Sequence, residues 1–275
     1  MKKGIEISNG VKQKNTISLG KILGVLSFFL LAPAFAFAET WNYTALGDSL
    51  AYGYGATENY GYVDMYKNYI ESDNGVTVNL WNLGSSGWTS SDLLAALKSN
   101  AVFRAAISSS RVITVDIGGN DLLQATAKYK TRTCGGKKND KCIKTANKNL
   151  KKNFKKILKE IKKLRGKQQT IYRTMNLYYS AVTSDSSADS FSGDKYSSDF
   201  AFLNYYVKKA DSILCKAGRS KGFLCADVHT SFNGASKTED PQQKGYICAD
   251  GLHPNDTGYQ VIADDFRNLG YASSK

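Results

Sequence analysis

Five short runs rich in β-branched and aromatic residues, spaced by stretches of helical periodicity, constrain this chain more than any other feature. Trp41 to Leu46, Val76 to Leu80, Val112 to Val115, Thr170 to Met175 and Phe223 to Val228 read as strands. Helical stretches fall at 60–71, Ser90 to Ala105, about 199–215 and Thr257 to Leu269, and a basic excursion and helix occupies about 123–167. A serine-rich loop is expected at about 180–198. Strands separated by helices argue for an α/β domain with a parallel sheet of about five strands, covered on both faces. Ligands in such sheets sit beyond the C-terminal strand ends. Ser49, Gly87 and Asn120 all fall at or just past such ends.

The first 38 residues differ from the rest. Lys12, Lys14 and Lys21 precede an apolar run from Ile22 to Leu31, and Ala36-Phe37-Ala38 follows. That order is expected of a cleavable signal peptide, with Pro33 and the shortness of the run arguing against a membrane anchor. The expectation is a secreted, extracellular product comprising residues 39–275, a length suited to one domain.

Export makes disulfides permissible among the five cysteines. Cys134 and Cys142 bracket a lysine- and glycine-rich loop, where a disulfide is expected. Cys215, Cys225 and Cys248 can form only one further bond; Cys215–Cys225 is favoured, but spacing leaves the pairing open. No spacing resembles a zinc site.

Charge is concentrated. The chain carries a formal +13, yet residues 128–173 hold 18 basic and two acidic side chains. Within that block Leu150, Phe154, Ile157, Ile161 and Leu164 recur every three or four residues, so one face is apolar and the rest lysine. A solvated helix face explains this, as does docking on an anionic membrane or cell-wall surface. No zinc finger, stacking motif or recognition helix accompanies the charge, which argues against nucleic acid. A monomer is expected.

Only two histidines exist, His229 and His253. His253 lies in Asp250-Gly251-Leu252-His253, about two hundred residues after Gly47-Asp48-Ser49-Leu50. A serine hydroxyl is a poor nucleophile until a base takes its proton, and an imidazole needs a carboxylate to orient it. Ser49, His253 and Asp250 are therefore the candidate catalytic residues. His229, in Asp227-Val228-His229-Thr230, has no acid three residues before it and reads as structural or as part of a rim. Gly218-Arg219-Ser220-Lys221-Gly222 satisfies a nucleophile-elbow pattern but follows a helix and precedes a strand, the reverse of what that elbow requires.

Four blocks together resemble the SGNH hydrolases, also called GDSL esterases and lipases. They are Gly47-Asp48-Ser49-Leu50, Asn82-Leu83-Gly84-Ser85-Ser86-Gly87, Gly118-Gly119-Asn120-Asp121 and Asp250-Gly251-Leu252-His253-Pro254-Asn255. The resemblance implies a flavodoxin-like three-layer α/β/α sandwich, no cofactor or metal, and hydrolysis of carboxylic esters. It implies Ser49 as nucleophile, Asp250 and His253 as its partners, and an oxyanion hole from the Ser49 and Gly87 N–H groups and the Asn120 amide. Asp48 is expected to hydrogen-bond structurally rather than to move protons. Family members act on acylglycerols, lysophospholipids, thioesters and acetylated sugars. The leading expectation is an esterase or lipase for short to medium acyl chains or lysophospholipid. A carbohydrate O-acetylesterase is the alternative, with Tyr52, Tyr54 and Trp88 lining an acyl slot or a sugar platform. A non-catalytic surface-binding protein is the weaker third reading. The basic excursion lies outside the four blocks, so the resemblance is silent on its role.

Overall fold

Each apolar run becomes a strand of one parallel sheet in the computed structural model, which describes residues 39–273. The proposed signal peptide lies outside the described residues. The strands are β1 (Thr40–Gly47), β2 (Thr77–Gly84), β3 (Val112–Val115), β4 (Ile171–Met175) and β5 (Leu224–Ala226), in spatial order β2-β1-β3-β4-β5. After β1 the chain steps outward to β2, then returns to place β3 on the other side of β1. The crevice between the C-terminal ends of β1 and β3 is therefore the topological switch point, the place where such sheets bind ligands.

Period-two alternation builds the two faces. Leu46, Ile113, Val115 and Tyr172 point into one core, packed by α3 (Ser90–Ser99), α4 (Ala101–Ser109), α5 (Gly119–Lys130), α6 (Lys141–Arg165) and α8 (Asp199–Arg219). Tyr43, Ala45, Val112, Ile171 and Met175 point into the other, packed by α2 (Tyr62–Asn74), α9 (Val228–Asn233) and α10 (Asp256–Asn268). The result is the three-layer α/β/α sandwich. Two short helices, α1 (Ser49–Tyr52) and α7 (Val182–Ser186), complete the order.

The basic helix is α6. Leu150, Phe154, Ile157 and Ile161 are completely buried, while Lys151, Lys152, Lys155, Lys156 and Lys159 are exposed. Like-charge pairs one turn apart each cost a few tenths of a kcal/mol. Burying one large apolar side chain contributes about 1.5–3 kcal/mol. Packing therefore wins, and the helix forms despite its charge.

Three local expectations are corrected. Ser90 to Ala105 is two helices, because Asn100 adopts an extended conformation and its Oδ1 accepts from the N–H groups of Val102 and Phe103, starting α4 afresh. The excursion from about 123 is not all loop, since α5 extends to Lys130 with Leu122, Ala125 and Tyr129 buried. The serine-rich segment contains α7, whose Asp185 is buried.

Cys134 pairs with Cys142 across the α5–α6 connection, and Cys215 pairs with Cys225, tying α8 to β5, with Cα atoms 4.9 and 5.3 Å apart. Cys248 is free. Peptide mapping of the unreduced protein is expected to yield both linked pairs and alkylation at Cys248 alone. Alkylation of Cys134 and Cys142 without reductant would contradict the first pairing.

Candidate active site

The tight exit from β1 places Ser49 at the first position of α1, where the N–H groups have no partner within the helix. Asp48 Oδ1 accepts from Leu50 N at 3.1 Å and caps α1, and Asn82 Nδ2 donates to the Ala51 carbonyl at 2.7 Å. The helix carrying Ser49 is thus pinned from two strands.

From the far end of the chain, His253 Nε2 comes within 2.9 Å of Ser49 Oγ, and its Nδ1 lies 2.6 Å from Asp250 Oδ2. The loop between these two residues closes on itself. Asp250 Oδ1 accepts from Leu252 N at 2.8 Å, His253 N at 2.9 Å and Cys248 Sγ at 3.0 Å. Tyr178 Oη donates to the Leu252 carbonyl at 2.6 Å, bracing that loop from the β4 side. Partial burial opposes charge on Asp250, but donation from the His253 ring, from Cys248 and from the two backbone N–H groups outweighs it. The carboxyl is held well below the usual carboxylate range. Burial and the Asp250 carboxylate push the Cys248 thiol up, so it remains a protonated donor. Sequence reading missed this role, because the thiol lies outside the four blocks and was weighed only as a disulfide partner.

Asn120, after β3, lines the same crevice, and Gly87 follows β2 in the loop whose Trp88 carbonyl Asn120 reaches. Gly87 has φ +81°, the left-handed region that favours glycine. Asn120 lies in the first turn of α5, just after the cap residue Gly118. One Asn120 Nδ2 proton goes to the Trp88 carbonyl at 3.0 Å, which leaves the other proton to donate elsewhere. Asp121 accepts from both the N–H (2.7 Å) and the hydroxyl (2.6 Å) of Ser90. That bond pair locks the Gly87 loop against the start of α5, a positioning role visible only in three dimensions.

Against the turn that precedes Ser49 lies a carboxyl outside the four blocks. Asp116, at the end of β3, is buried against Gly47 so closely that a Cβ built there would fall 1.3 Å from Asp116 Oδ1. No residue but glycine fits. Asp48 is buried beside it. Burial, and then the charge of Asp121, pushes the Asp48 carboxyl up to about 7, and burial followed by the charge of Asp48 raises Asp116.

A cavity of about 300 Å³ opens beside Ser49, Asn120 and His253 and is lined by Leu122, Leu123, Leu177, Leu203 and Val207 among others. Tyr52, Tyr54 and Trp88 do not line it, contrary to expectation. The Tyr54 ring instead packs 4.5 Å from the His253 ring, and Trp88 stacks on Phe103. His229 is no rim residue: it is fully buried, and its Nδ1 lies 2.6 Å from Asp211 Oδ2 of α8. Ser220 caps the end of α8 and donates to the Ala217 carbonyl.

A serine, a histidine and an aspartate in hydrogen-bond relay at the switch point of a three-layer α/β/α sandwich is the arrangement of a serine hydrolase. Residues 45–261 match the GDSL-like lipase/acylhydrolase family, and the chain belongs to it; it is an ester hydrolase. It is similar to the spore germination lipase LipC of Bacillus licheniformis, with 29% identity over 84% of this chain and 97% of the relative. Among solved structures it resembles the lipase Lip_vut3 from a goat rumen metagenome (TM-score 0.69, 26% identity, 84% of this chain and 98% of that one). An acetyl-xylooligosaccharide esterase from Geobacillus shares the fold (TM-score 0.58, 18% identity, 87% of this chain and 99% of that one).

Proposed function

We propose that this chain is an exported serine esterase or lipase for short to medium acyl chains, with Ser49 as nucleophile, His253 as base and Asp250 as the orienting acid. The observation that carries the substrate reading is the leucine-lined cavity opening beside Ser49 Oγ, which offers an acyl chain a dry path. In attack, the Ser49 proton passes to His253 Nε2 while Asp250, fixed by four donors, stabilises the imidazolium without taking the proton. Charge developing on the former carbonyl oxygen is met by the Ser49 N–H at the N-terminus of α1, the Gly87 N–H and the second Asn120 amide proton. The tetrahedral adduct collapses as His253 returns the proton to the departing alcohol, and water, activated by the same histidine, then cleaves the acyl-Ser49 bond and releases the acid. Rates on p-nitrophenyl esters of increasing acyl length, set beside acetylated oligosaccharides, test this. A preference for medium acyl esters is expected, and turnover confined to acetylated saccharides would replace the reading by the O-acetylesterase one.

The exposed lysine face of α6 supports docking of the exported enzyme at an anionic surface. Screening shortens the Debye length from about 10 Å at 0.1 M salt to about 3 Å at 1 M, so such docking weakens steeply over that range. Exchanging Lys151, Lys152, Lys155, Lys156 and Lys159 for Gln is expected to reduce co-sedimentation with anionic vesicles at low salt, with little change in turnover of a soluble ester. Equal sedimentation of both proteins would make these lysines solubilising surface only.

A further inference from the structure

Helix α5 runs along the cavity away from the catalytic crevice. Asn120, Leu123, Thr126 and Lys130 recur every three or four residues along it, and all four line the cavity. Ten residues at a rise of about 1.5 Å set Lys130 about 15 Å along the helix from Asn120. There the lining changes character. Lys130 Nζ forms an ion pair with Asp185 of α7, and Tyr179 Oη donates to the other Asp185 oxygen at 2.5 Å. The Asp185 side chain is only 7% exposed, while that of Lys130 reaches solvent at 38%.

Both oxygens of Asp185 are engaged and the ammonium is matched by a carboxylate. This end of the cavity therefore offers neither an unpaired charge to receive an anionic group nor an apolar wall to receive another methylene. We propose that the Lys130–Asp185 pair, braced by Tyr179, is the stop that limits the acyl length this enzyme accepts, an inference that rests on the esterase reading of the Ser49 site. An extended chain advances about 1.3 Å per C–C bond of about 1.5 Å, so about twelve carbons bring its end to the pair. Up to that length each buried methylene strengthens binding about fourfold. Beyond it, the chain must displace the Lys130 ammonium and leave the buried Asp185 carboxylate uncompensated, which is unfavourable. The dependence on length should break sharply, not level off.

The test is the kcat/KM profile on p-nitrophenyl esters from two to sixteen carbons, each normalised to the acetate rate of the same protein. Wild type is expected to peak near twelve carbons and fall at least tenfold by sixteen. Lys130→Met combined with Asp185→Asn removes the charge from the stop and is expected to carry the peak to fourteen or beyond. Thr126→Phe, six residues from Asn120 and so about 9 Å along α5, is expected to bring it back to about seven. Thermal melting establishes that each variant is folded. Folded variants that keep the wild-type break would overturn the proposal, and if the double variant does not fold, an unmoved break in Thr126→Phe overturns it alone. Absence of wild-type turnover at every length is a different result, which would overturn the esterase reading beneath it.

Discussion

Ser49→Ala and His253→Ala each lower kcat on a soluble p-nitrophenyl ester by about 10³-fold or more, with circular dichroism and melting temperature unchanged. The size follows from the geometry. Ser49 Oγ, His253 Nε2, His253 Nδ1 and Asp250 Oδ2 form one unbroken relay, so loss of either member removes the activated nucleophile. Combining the two substitutions adds little, because relay members act as a unit. Asn120→Ala costs less, about 10²–10³ in kcat, as expected for one oxyanion donor with the nucleophile intact. His229→Ala retains the relay, and any effect falls on stability, since it leaves Asp211 buried without its ring partner. A folded Ser49→Ala protein hydrolysing at the wild-type rate would refute the assignment.

Asp116→Asn raises the melting temperature by several degrees at pH 8, and the advantage vanishes near pH 4. An unfolded aspartate titrates near about 3.9. Burial raises Asp48 to about 7 and raises Asp116 as well, so the folded protein holds protons that the unfolded chain releases. For a carboxyl raised in this way, the stability contribution is complete below the unfolded value and is lost as pH climbs through the folded one. For Asp48 the difference corresponds to an order of 4 kcal/mol between about pH 4 and 7. A neutral amide of nearly the same shape at Asp116 escapes the cost of its own ionisation. At about 2–4 °C per kcal/mol for a domain of this size, the gap is measurable by calorimetry across pH. Parallel melting curves for the two proteins from pH 4 to 8 would show that the buried pair does not titrate in this range.

Much of the fold was legible because its signals are local. β-Branched runs separated by helical periodicity specify strands and crossovers, and the stripe from Leu150 to Ile161 specifies which side of α6 is buried. Helix breaks were less legible. Nothing in the periodicity of Ser90 to Ala105 marks Asn100 as a cap, because capping depends on one residue's backbone choice and not on a repeat. The same holds for α5, whose apolar residues are diluted by lysines within a segment that charge alone makes look like a loop.

The site divides along the same line. Residue types and order nominated Ser49, Gly87, Asn120, Asp250 and His253, since nucleophile, backbone donor, amide, acid and base each demand a particular side chain or its absence. The surroundings that tune them were decided by tertiary structure. Asp116 meets Gly47 across neighbouring strands, Asp121 reaches Ser90, and Tyr179 and Lys130 converge on Asp185. Even Cys248, two residues from Asp250, takes its role from the folding back of a loop through the Ile247–Pro254 bridge. Chemistry is written in side-chain identity, so the order of residues already names the groups able to react. Burial, hydrogen-bond partners and the length of the cavity arise from contacts between distant segments, and these exist only once the chain has folded.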